Sequence, residues 1–354
     1  MLNYRDGLAD MPLYDTREQD WNIKVNANES NIGLPPLVED RVMTRLSRIA
    51  FPRYPNEEYD LLREQIGEAY GYRRENVIIG NGSSEIIEQV FYAFGGNREH
   101  RIVYPSPSFS MYAIYAAAAD ATGAPVPLRS DYQLDVEAFV QQVNQSRASL
   151  AVICNPNNPT GQILTAEEVE YISSHISCAF LVDEAYAEFC EHSVIALLNK
   201  YPHMMVARTF SKAYALASCR VGYMLAHENV IDMLAKTYMP YHMNVPSLVI
   251  ADTVFQMRTE FEPQIQMICA ERERMQERYQ ALTGLTVYPS HANFLLIHYA
   301  QAEALNEDLI RYGIGVRSFG KAPGLENMLR ISIGRADQND EVYRIIKAFV
   351  EGHS

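Results

Sequence analysis

Short apolar runs alternate with helix-length segments through the middle of this chain of 354 residues. Runs rich in β-branched residues predict strands at 77–79, 101–104, 150–154, 179–183, 204–209 and 221–226. Because amphipathic stretches separate many of these runs, the pattern favours an α/β fold with a mostly parallel sheet covered by helices on both faces. In such folds ligands bind where the strands end, so the residues that follow each run are the candidates for function.

The last third of the chain has a different order of predicted helices and strands. A long charged stretch at 253–282 predicts one long helix with a solvated face. After it the sequence predicts strands at 294–298, 313–317 and 329–334 and helices at 302–312 and 338–351. We interpret residues 1–45 as an N-terminal arm with the start of a small domain, 46–250 as a large domain, and 251–354 as a small C-terminal α+β domain. No repeat or low-complexity linker separates them, so we expect the two domains to pack together.

Composition excludes several classes of protein. The net charge of −14 disfavours a nucleic-acid-binding surface built on phosphate neutralisation. With 48% hydrophobic and 21% charged residues the chain is not disordered. No apolar run approaches the ~20 residues that cross a bilayer, so we expect no membrane association.

Five cysteines are spread widely through apolar sequence. An odd number at such spacings is typical of reduced thiols and not of a disulfide framework or a zinc site, so we predict no metal. The first residues, MLNYRDGLADMPLYD, do not have the basic and apolar regions of a secretory signal. We therefore expect a cytoplasmic protein.

Two consecutive strand ends carry polar residues that are unusual for simple turns. The segment CNPNNPTG, residues 154–161, follows one strand and must be a loop because of its prolines and glycine. Alone, an Asn-Pro loop is more often only a turn. The next strand ends at Asp183, with Tyr186 three residues later. An unpaired carboxylate there would be costly, so it either caps a helix or faces a protonated ligand group.

A third strand end offers an amine. The segment TFSKAYALASCRVGY, residues 209–223, places Lys212 in a turn of small and hydroxyl residues, with Arg220 eight residues later. A lone lysine is usually a surface charge. When partly shielded from water and near other cations, however, its pKa falls and it can form a Schiff base near neutral pH. The hydroxyls of Thr209 and Ser211, together with Arg220, look like phosphate ligands.

A fourth element, residues 77–94, predicts a strand, a glycine-rich turn and an amphipathic helix that begins near Ser83. Such a turn offers free backbone N–H groups and the positive end of a helix to a phosphate. Its GNGSSE sequence is similar to the opening of a dinucleotide-binding fingerprint, but Glu85 occupies the third glycine position. A single phosphate is therefore the better fit.

In this order and spacing, the motifs resemble those of the fold-type I, pyridoxal-phosphate-dependent aminotransferases, the aspartate aminotransferase superfamily, and within it most closely the histidinol-phosphate aminotransferases. The resemblance extends over nearly the whole chain. Its motifs are NANES (26–30), RYP (53–55), GNGSSE (80–85), NPNNPTG (155–161), DEAY (183–186), TFSKAYALASCRVGY (209–223) and LRISIG (329–334). It implies that the large domain contains a mostly parallel seven-stranded sheet and binds pyridoxal 5′-phosphate.

The resemblance also implies catalytic roles. Lys212 would hold the cofactor covalently and carry the proton between the substrate Cα and C4′ of the cofactor. Asp183 would pair with the protonated pyridine nitrogen, and so keep the ring electron-withdrawing. Asn158 and Tyr186 would hydrogen-bond the ring oxygen O3′, and Asn158 would also lie beside the substrate. Phe109 would stack on the ring through its aromatic face.

Further residues would bind anions. By the resemblance, the cofactor phosphate is held by Ser83, Ser84, Thr209, Ser211 and Arg220. Tyr54 of RYP would reach the cofactor phosphate of a neighbouring subunit, which implies a homodimer with shared active sites. Arg330 would bind the substrate anion as a bidentate fork, and Arg317 and Tyr14 would also contact the substrate. For Arg317 an ordinary surface ion pair is the other interpretation.

Three segments depart from the pattern usual in histidinol-phosphate aminotransferases. Phe109 stands where a tyrosine is usual, so the aromatic face remains but the phenol is lost. The usual PYNVN is PYHMN at 240–244, with His242 in place of an asparagine, and the usual NENPYGP is NESNIGLPP at 28–36. In the family the last two segments lie near the substrate, so these departures bear on substrate preference.

The resemblance predicts a ping-pong transamination in histidine biosynthesis, from L-histidinol phosphate and 2-oxoglutarate to imidazole acetol phosphate and glutamate. An aromatic amino-acid aminotransferase and a threonine-phosphate decarboxylase-like enzyme, in which the substrate loses CO₂ instead of a proton, stay open because all three use the same lysine, aspartate and arginine. A transcriptional regulator with an aminotransferase-like effector domain is the non-enzymatic alternative. It would need a basic DNA-binding module, but the motifs begin by residue 26 and the net charge is −14.

Overall fold

The computed structural model describes residues 19–190 and 192–352. Its strands are β1 (Ile23–Lys24), β2 (Val77–Asn81), β3 (Arg101–Ser106), β4 (Thr122–Pro127), β5 (Leu150–Cys154), β6 (Ala179–Asp183), β7 (Met204–Thr209), β8 (Val221–Ala226), β9 (Leu285–Tyr288), β10 (Phe294–Tyr299), β11 (Ile314–Gly315), β12 (Arg317–Ser318) and β13 (Met328–Ser332). Its α-helices are α1 (Pro36–Leu46), α2 (Glu58–Tyr70), α3 (Gly82–Phe94), α4 (Met111–Ala118), α5 (Val136–Gln145), α6 (Ala166–His175), α7 (Glu228–Ala235), α8 (Val245–Gln256), α9 (Glu262–Gln280), α10 (Ala302–Arg311) and α11 (Ala336–Gly352).

Seven strands form the large sheet in the order β2-β8-β7-β6-β5-β3-β4. Only β8 pairs antiparallel with its neighbours in this sheet. All six strands predicted in the middle of the chain belong to it, which confirms the α/β fold and the mostly parallel sheet. Strand β4 was not predicted, because its sequence TGAPVP has two prolines and a glycine; prolines are tolerated here since β4 is the edge strand.

The register of the central strands aligns the ends that carry polar residues. Strands β5, β6 and β7 are buried along almost their whole length, as expected for parallel strands covered on both faces. Their residues are apolar except for Asp183 at the end of β6 and Arg208 and Thr209 at the end of β7. Cys154 at the end of β5 lies opposite Asp183 at the end of β6, and Asp183 lies opposite Ala207 of β7. The loops after these three strands therefore leave the sheet at one edge.

A buried ion pair joins β6 and β7 close to that edge. Glu184 directly follows β6, and its carboxylate accepts hydrogen bonds from the Arg208 guanidinium at 2.8 and 3.0 Å. The same carboxylate accepts bonds from the backbone N–H of Val194 at 2.7 Å and from the Ser193 hydroxyl at 2.9 Å. Because both charges are buried, removal of either partner would leave an uncompensated charge in the core.

The C-terminal part of the chain forms a second sheet. Strands β12, β13, β10 and β9 pair antiparallel in that order, and α11 packs against α9 and α10. The predicted strand at 313–317 is divided in the structure. Its first half, β11, pairs with β1, and its second half, β12, pairs with β13. The boundaries of the two domains stay a prediction.

The prediction of one long helix over 253–282 was wrong. Helix α8 ends at Gln256, a short 3₁₀ turn covers Arg258–Phe261, and α9 begins at Glu262. Pro263 lies in the first turn of α9, where its missing N–H removes no helical hydrogen bond. Inside a continuous helix it would clash with the preceding turn, so the charged stretch contains a helix boundary.

Two further features concern the cysteines and the helices of the described residues. All five cysteines are free thiols. Within the part of the chain that the structure describes, no helix is both long and apolar enough to span a bilayer. The cytoplasmic location stays a prediction.

Candidate active site

A cleft of about 690 Å³ lies where the central strands of the large sheet end, beneath strands of the second sheet. Most of the residues predicted to bind cofactor or substrate line it. They are Ser83, Ser84, Phe109, Asn158, Asp183, Tyr186, Thr209, Ser211, Lys212, Arg220, Arg317 and Arg330. The structure therefore brings together residues that are up to 247 positions apart, from Ser83 to Arg330.

Two predicted residues do not line this cleft. Tyr54 is 76% exposed, and its ring stacks on Tyr241 with the ring centroids 4.6 Å apart. Tyr14 lies outside the described residues. His242, one of the departures from the family pattern, is also absent from the lining; its Nε2 is 3.0 Å from the carbonyl oxygen of Ile79. His242 therefore anchors the segment around it to β2.

Asp183 is a buried carboxylate at the floor of the cleft. The Tyr112 hydroxyl donates to its Oδ2 at 3.0 Å, and the backbone N–H of Ala185 donates to its Oδ1 at 3.2 Å. Burial raises the pKa of Asp183 to about 6, although both hydrogen bonds act in the opposite direction. A carboxylate in this state is prepared to bind a protonated group that enters the cleft.

Lys212 follows β7 and points its amine into the same cleft. Its Nζ donates to the carbonyl oxygen of Ala27 at 2.9 Å. Burial, together with the nearby positive charges of Arg330 and Arg220, lowers the pKa of Lys212 to about 8. This lysine is thus not an ordinary surface cation, because about a tenth of it is a neutral amine at pH 7, far more than of a lysine with the usual pKa.

One corner of the cleft is built for a phosphate. Helix α3 begins at Gly82, one residue before the predicted start, and a Cβ at this position would lie 2.5 Å from an Nη atom of Arg220. Gly82 also has a φ of +79°, which favours glycine. The guanidinium of Arg220 donates to the Ser211 hydroxyl at 3.3 Å. A positive helix end, hydroxyls and a guanidinium therefore converge on one point.

The second sheet contributes two arginines on the opposite side of the cleft. Arg330 of β13 donates to the Asn158 side chain at 2.6 Å and to the carbonyl oxygen of Asn26 at 2.7 Å. Arg317 of β12 lies directly opposite Arg330 in the antiparallel pair. Directly opposed residues point to the same face of a sheet, so both guanidinium groups reach the cleft.

Several residues that shape the site were not predicted from the sequence. Tyr112 bonds to Asp183, and the segment Asn26–Glu29 lines the cleft and accepts bonds from Lys212 and Arg330. Nothing in the sequence marked Tyr112, because Phe109 lies before α4 and Tyr112 is one of several aromatic and apolar residues in this short helix. The backbone carbonyls of Asn26 and Ala27 left no signal, because any residue carries one.

Comparison with known proteins identifies the family. The sequence model described as "Aminotransferase class I and II" matches residues 21–346. The chain belongs to the class I and II aminotransferases. This confirms the resemblance found in the sequence, and with it the α/β fold, the enzyme class and the dependence on pyridoxal phosphate.

Individual relatives agree with the family. The chain is 34% identical over 97% of its length, and 97% of the relative, to a histidinol-phosphate aminotransferase of Thermoanaerobacter pseudethanolicus. It is 35% identical, over 96% of its length and 95% of the relative, to a protein of the same name from Pyrococcus furiosus. A crystal structure of histidinol-phosphate aminotransferase from Sinorhizobium meliloti in complex with pyridoxal-5′-phosphate has the same fold, with a TM-score of 0.87, 24% identity and coverage of 95% and 93% of the two chains.

The residues present in this aminotransferase fit the cofactor. Pyridoxal phosphate carries a phosphate, an aldehyde and a basic ring nitrogen, and so requires cations or N–H donors, an amine and a carboxylate. The cleft presents the corner at Gly82 and Arg220, the amine of Lys212 and the carboxylate of Asp183 on separate loops. A side chain at position 82 would fill the phosphate corner, which is consistent with the glycine there.

The raised pKa of Asp183 predicts how the stability of the cofactor-free protein depends on pH. The native carboxyl binds its proton more tightly than the unfolded one, so this stabilisation is complete below the unfolded pKa and is lost as the pH rises through about 6. We therefore expect Asp183→Asn to increase the free energy of unfolding by about 3 kcal/mol at pH 7 and to have little effect below pH ~4.

Urea unfolding of the cofactor-free proteins across this pH range measures the effect. Asp232→Asn, at an exposed position of α7, is the matched control and should leave the pH profile unchanged. A variant with asparagine at position 183 that is less stable than the natural protein at pH 7 would contradict the prediction.

Proposed function

We propose that this aminotransferase transfers the amino group of L-histidinol phosphate to 2-oxoglutarate, forming imidazole acetol phosphate and glutamate in histidine biosynthesis. The observation that carries the proposal is the pair of opposed arginines, Arg317 and Arg330, at the cleft. Two guanidinium groups suit a phosphate dianion, whereas an aromatic amino acid presents a single carboxylate. The names of the relatives favour histidinol phosphate over threonine phosphate as the phosphorylated donor.

In this proposal Lys212 and Asp183 are the catalytic charges. Bound pyridoxal phosphate supplies a pyridinium ring that accepts the electron pair released when the Cα–H bond of the substrate breaks. Asp183, buried and oriented by Tyr112, keeps the proton on the ring nitrogen. Lys212 would hold the cofactor covalently and, as a free amine, would take the proton from the substrate Cα, because its lowered pKa makes the neutral amine accessible.

Other residues that line the cleft are proposed to bind and orient the cofactor and the substrate. Phe109 packs against the face of the ring, and Asn158 and Tyr186 bind its ring oxygen. The residues proposed for the cofactor phosphate are Ser83, Ser84, Thr209, Ser211 and Arg220. The guanidinium of Arg330 is already held in place by its bonds to Asn158 and to the Asn26 carbonyl. It would exchange these bonds for bonds to the substrate anion with little reorientation.

We also propose a homodimer in which Tyr54 completes the site of the second subunit. Tyr54 and Tyr241 stack on each other at the surface, and Phe51 and Met239, which are near them in sequence, are 78% and 77% exposed. Such a group of exposed apolar side chains is typical of an interaction surface. Tyr14, beyond the described residues, is proposed to contact the substrate as the resemblance implies.

The attachment point of the cofactor can be tested chemically. After reduction of the enzyme with borohydride, we expect the cofactor to be fixed to the peptide that contains Lys212, as detected by mass spectrometry. Lys212→Ala should bind the cofactor only reversibly and have no transaminase activity. Lys24→Ala is the control, because Lys24 pairs with Glu29 at the edge of the same cleft, at 2.7 Å. Labelling of any other lysine would contradict the assignment.

Shared sites predict recovery of activity in mixed dimers. Inactive Lys212→Ala subunits mixed with Tyr54→Ala subunits should form hybrids in which one site has both natural residues. Random pairing should then restore about a quarter of the natural activity. Lys212→Ala mixed with Arg317→Ala is the matched control and should gain nothing, since Arg317 and Lys212 line the cleft of one chain. If both mixtures behave alike, Tyr54 does not act across the interface.

Substrate preference follows from the two arginines. We expect kcat/KM to be highest for histidinol phosphate among histidinol phosphate, phenylalanine, tyrosine and phosphothreonine. Arg317→Ala should lower that value by about 10- to 100-fold for histidinol phosphate, which is the loss of one charge-assisted hydrogen bond, with a small effect on phenylalanine.

Arg311→Ala, at an exposed position of α10, is the control and should leave kcat/KM for histidinol phosphate and for phenylalanine unchanged. Preference for phenylalanine or tyrosine, or release of CO₂ from phosphothreonine, would replace the proposed substrate while leaving the enzyme family unchanged.

A further inference from the structure

Asn28 is buried beside the cleft and has an unusual backbone conformation. Its side chain is 1% exposed, and its φ is +54°. Left-handed backbone is uncommon for residues other than glycine, but asparagine tolerates it better than most. The backbone around Asn28 is held in place by the Asn293 side chain, which donates to the Asn28 carbonyl oxygen at 3.1 Å. A strained residue that is this well anchored suggests a specific role for its side chain.

The orientation of the Asn28 side chain is set by Ser332 of β13. The backbone N–H of Asn28 donates to the Ser332 hydroxyl at 2.9 Å, and this hydroxyl donates to Oδ1 of Asn28 at 3.0 Å. A backbone N–H can only donate, so the Ser332 oxygen acts as its acceptor and the hydroxyl proton is free for Oδ1. The amide oxygen of Asn28 is thereby engaged, and its NH₂ group faces the other way.

That NH₂ group meets the hydroxyl of Tyr186. Nδ2 of Asn28 donates to the Tyr186 oxygen at 3.0 Å. An amide NH₂ has no acceptor capacity, so the Tyr186 proton cannot point toward Asn28. Burial also raises the pKa of Tyr186, which therefore keeps its proton. Since Tyr186 lines the cleft, its hydroxyl proton remains for an acceptor there.

We propose that Asn28, held by Ser332, is a positioning residue that occupies the Tyr186 oxygen as a donor and so directs the Tyr186 hydroxyl proton toward the ring oxygen of the cofactor. This inference rests on the role proposed above for Tyr186. It gives the NANES segment a function that depends on one amide group. Aspartate at this position would reverse the hydrogen bond, because a carboxylate accepts the tyrosine proton.

The hydrogen bonds from Ser332 to Asn28 and from Asn28 to Tyr186, here called the relay, connect Tyr186 to the strand proposed to bind the substrate anion. Ser332 and Arg330 are two residues apart in β13 and so point to the same face of the strand. The backbone N–H of Ser332 donates to the Val25 carbonyl at 2.9 Å, which attaches the segment before Asn28 to the same strand. Strand β13 thus positions both the arginine for the substrate and, through Asn28, the hydroxyl for the cofactor.

A double-mutant cycle on the cofactor-loaded enzyme tests this relay. The variants are Asn28→Gly, Tyr186→Phe and the double variant, and the measurement is the pH midpoint of the change in the visible absorption of the bound cofactor. Glycine removes the side chain and suits the positive φ, so the backbone is preserved. A donor to the ring oxygen stabilises its negative charge, so loss of the donor should raise the midpoint.

We expect Tyr186→Phe to raise the midpoint by about one pH unit and Asn28→Gly by about half a unit, the effects of losing or weakening one hydrogen bond. The double variant should equal Tyr186→Phe alone, because Asn28 acts only through the hydroxyl. If the role of Asn28 were purely structural, Asn28→Gly would lower the thermal stability of the cofactor-free protein. It would then shift the midpoint by the same amount whether residue 186 is tyrosine or phenylalanine.

Two outcomes overturn the inference in distinguishable ways. If Tyr186→Phe does not move the midpoint, the proposed role of Tyr186 is wrong, and the inference fails with it. Suppose that Tyr186→Phe moves the midpoint. The inference about Asn28 alone is then wrong in either of two cases: Asn28→Gly does not move the midpoint when Tyr186 is present, or it moves the midpoint as much with phenylalanine at 186 as with tyrosine. Should Asn28→Gly not fold, Ser332→Ala enters the same cycle, with a smaller shift expected that phenylalanine at 186 abolishes.

Discussion

The hydrogen-bonded register of β5, β6 and β7 is the constraint on which the rest of the active site depends. Parallel pairing places Cys154, Asp183 and Ala207 side by side, so the loops that carry Asn158, Tyr186 and Lys212 all begin at one edge. A slip of one residue would turn the strand's side chains to the opposite face and move Asp183 out of the cleft. The buried pair of Glu184 and Arg208 reinforces this register where β6 ends, because its two charges must stay together.

The electrostatics of the cleft oppose those of the whole chain. Although the protein carries a net charge of −14, the cleft is lined by Lys212, Arg220, Arg317 and Arg330 against the carboxylates of Asp183 and Glu29. Burial brings the pKa of Asp183 up to about 6 and that of Lys212 down to about 8. Burial thus disfavours the charged form of each group, and this lowers the stability of the folded protein when the cofactor is absent. A cofactor that brings a basic nitrogen and an aldehyde would supply a partner for each group.

The segment Asn26–Glu29 connects the two sheets at the point where they meet the cleft. Its backbone carbonyls accept bonds from Lys212 of the large sheet and Arg330 of the second sheet, and Asn28 links Tyr186 to Ser332. Residues with proposed roles in catalysis and binding, from both parts of the molecule, therefore share one short stretch of backbone. The same stretch of backbone therefore contacts both the residues proposed to bind the substrate and those proposed to bind the cofactor.

The sequence by itself determined the α/β class, the strands β5 to β8 and the residues Asp183 and Lys212, because apolar runs and the polar residues after them are local patterns. It did not determine the proline-rich edge strand β4, whose pairing compensates for weak propensity, or the helix boundary before Pro263, which the charged pattern concealed. Tyr112 and Asn28 became visible only through contacts with Asp183, Tyr186 and Ser332, 71 to 304 positions away. Only the tertiary structure decides such contacts, because the direction of a hydrogen bond depends on where distant strands place its donor and acceptor.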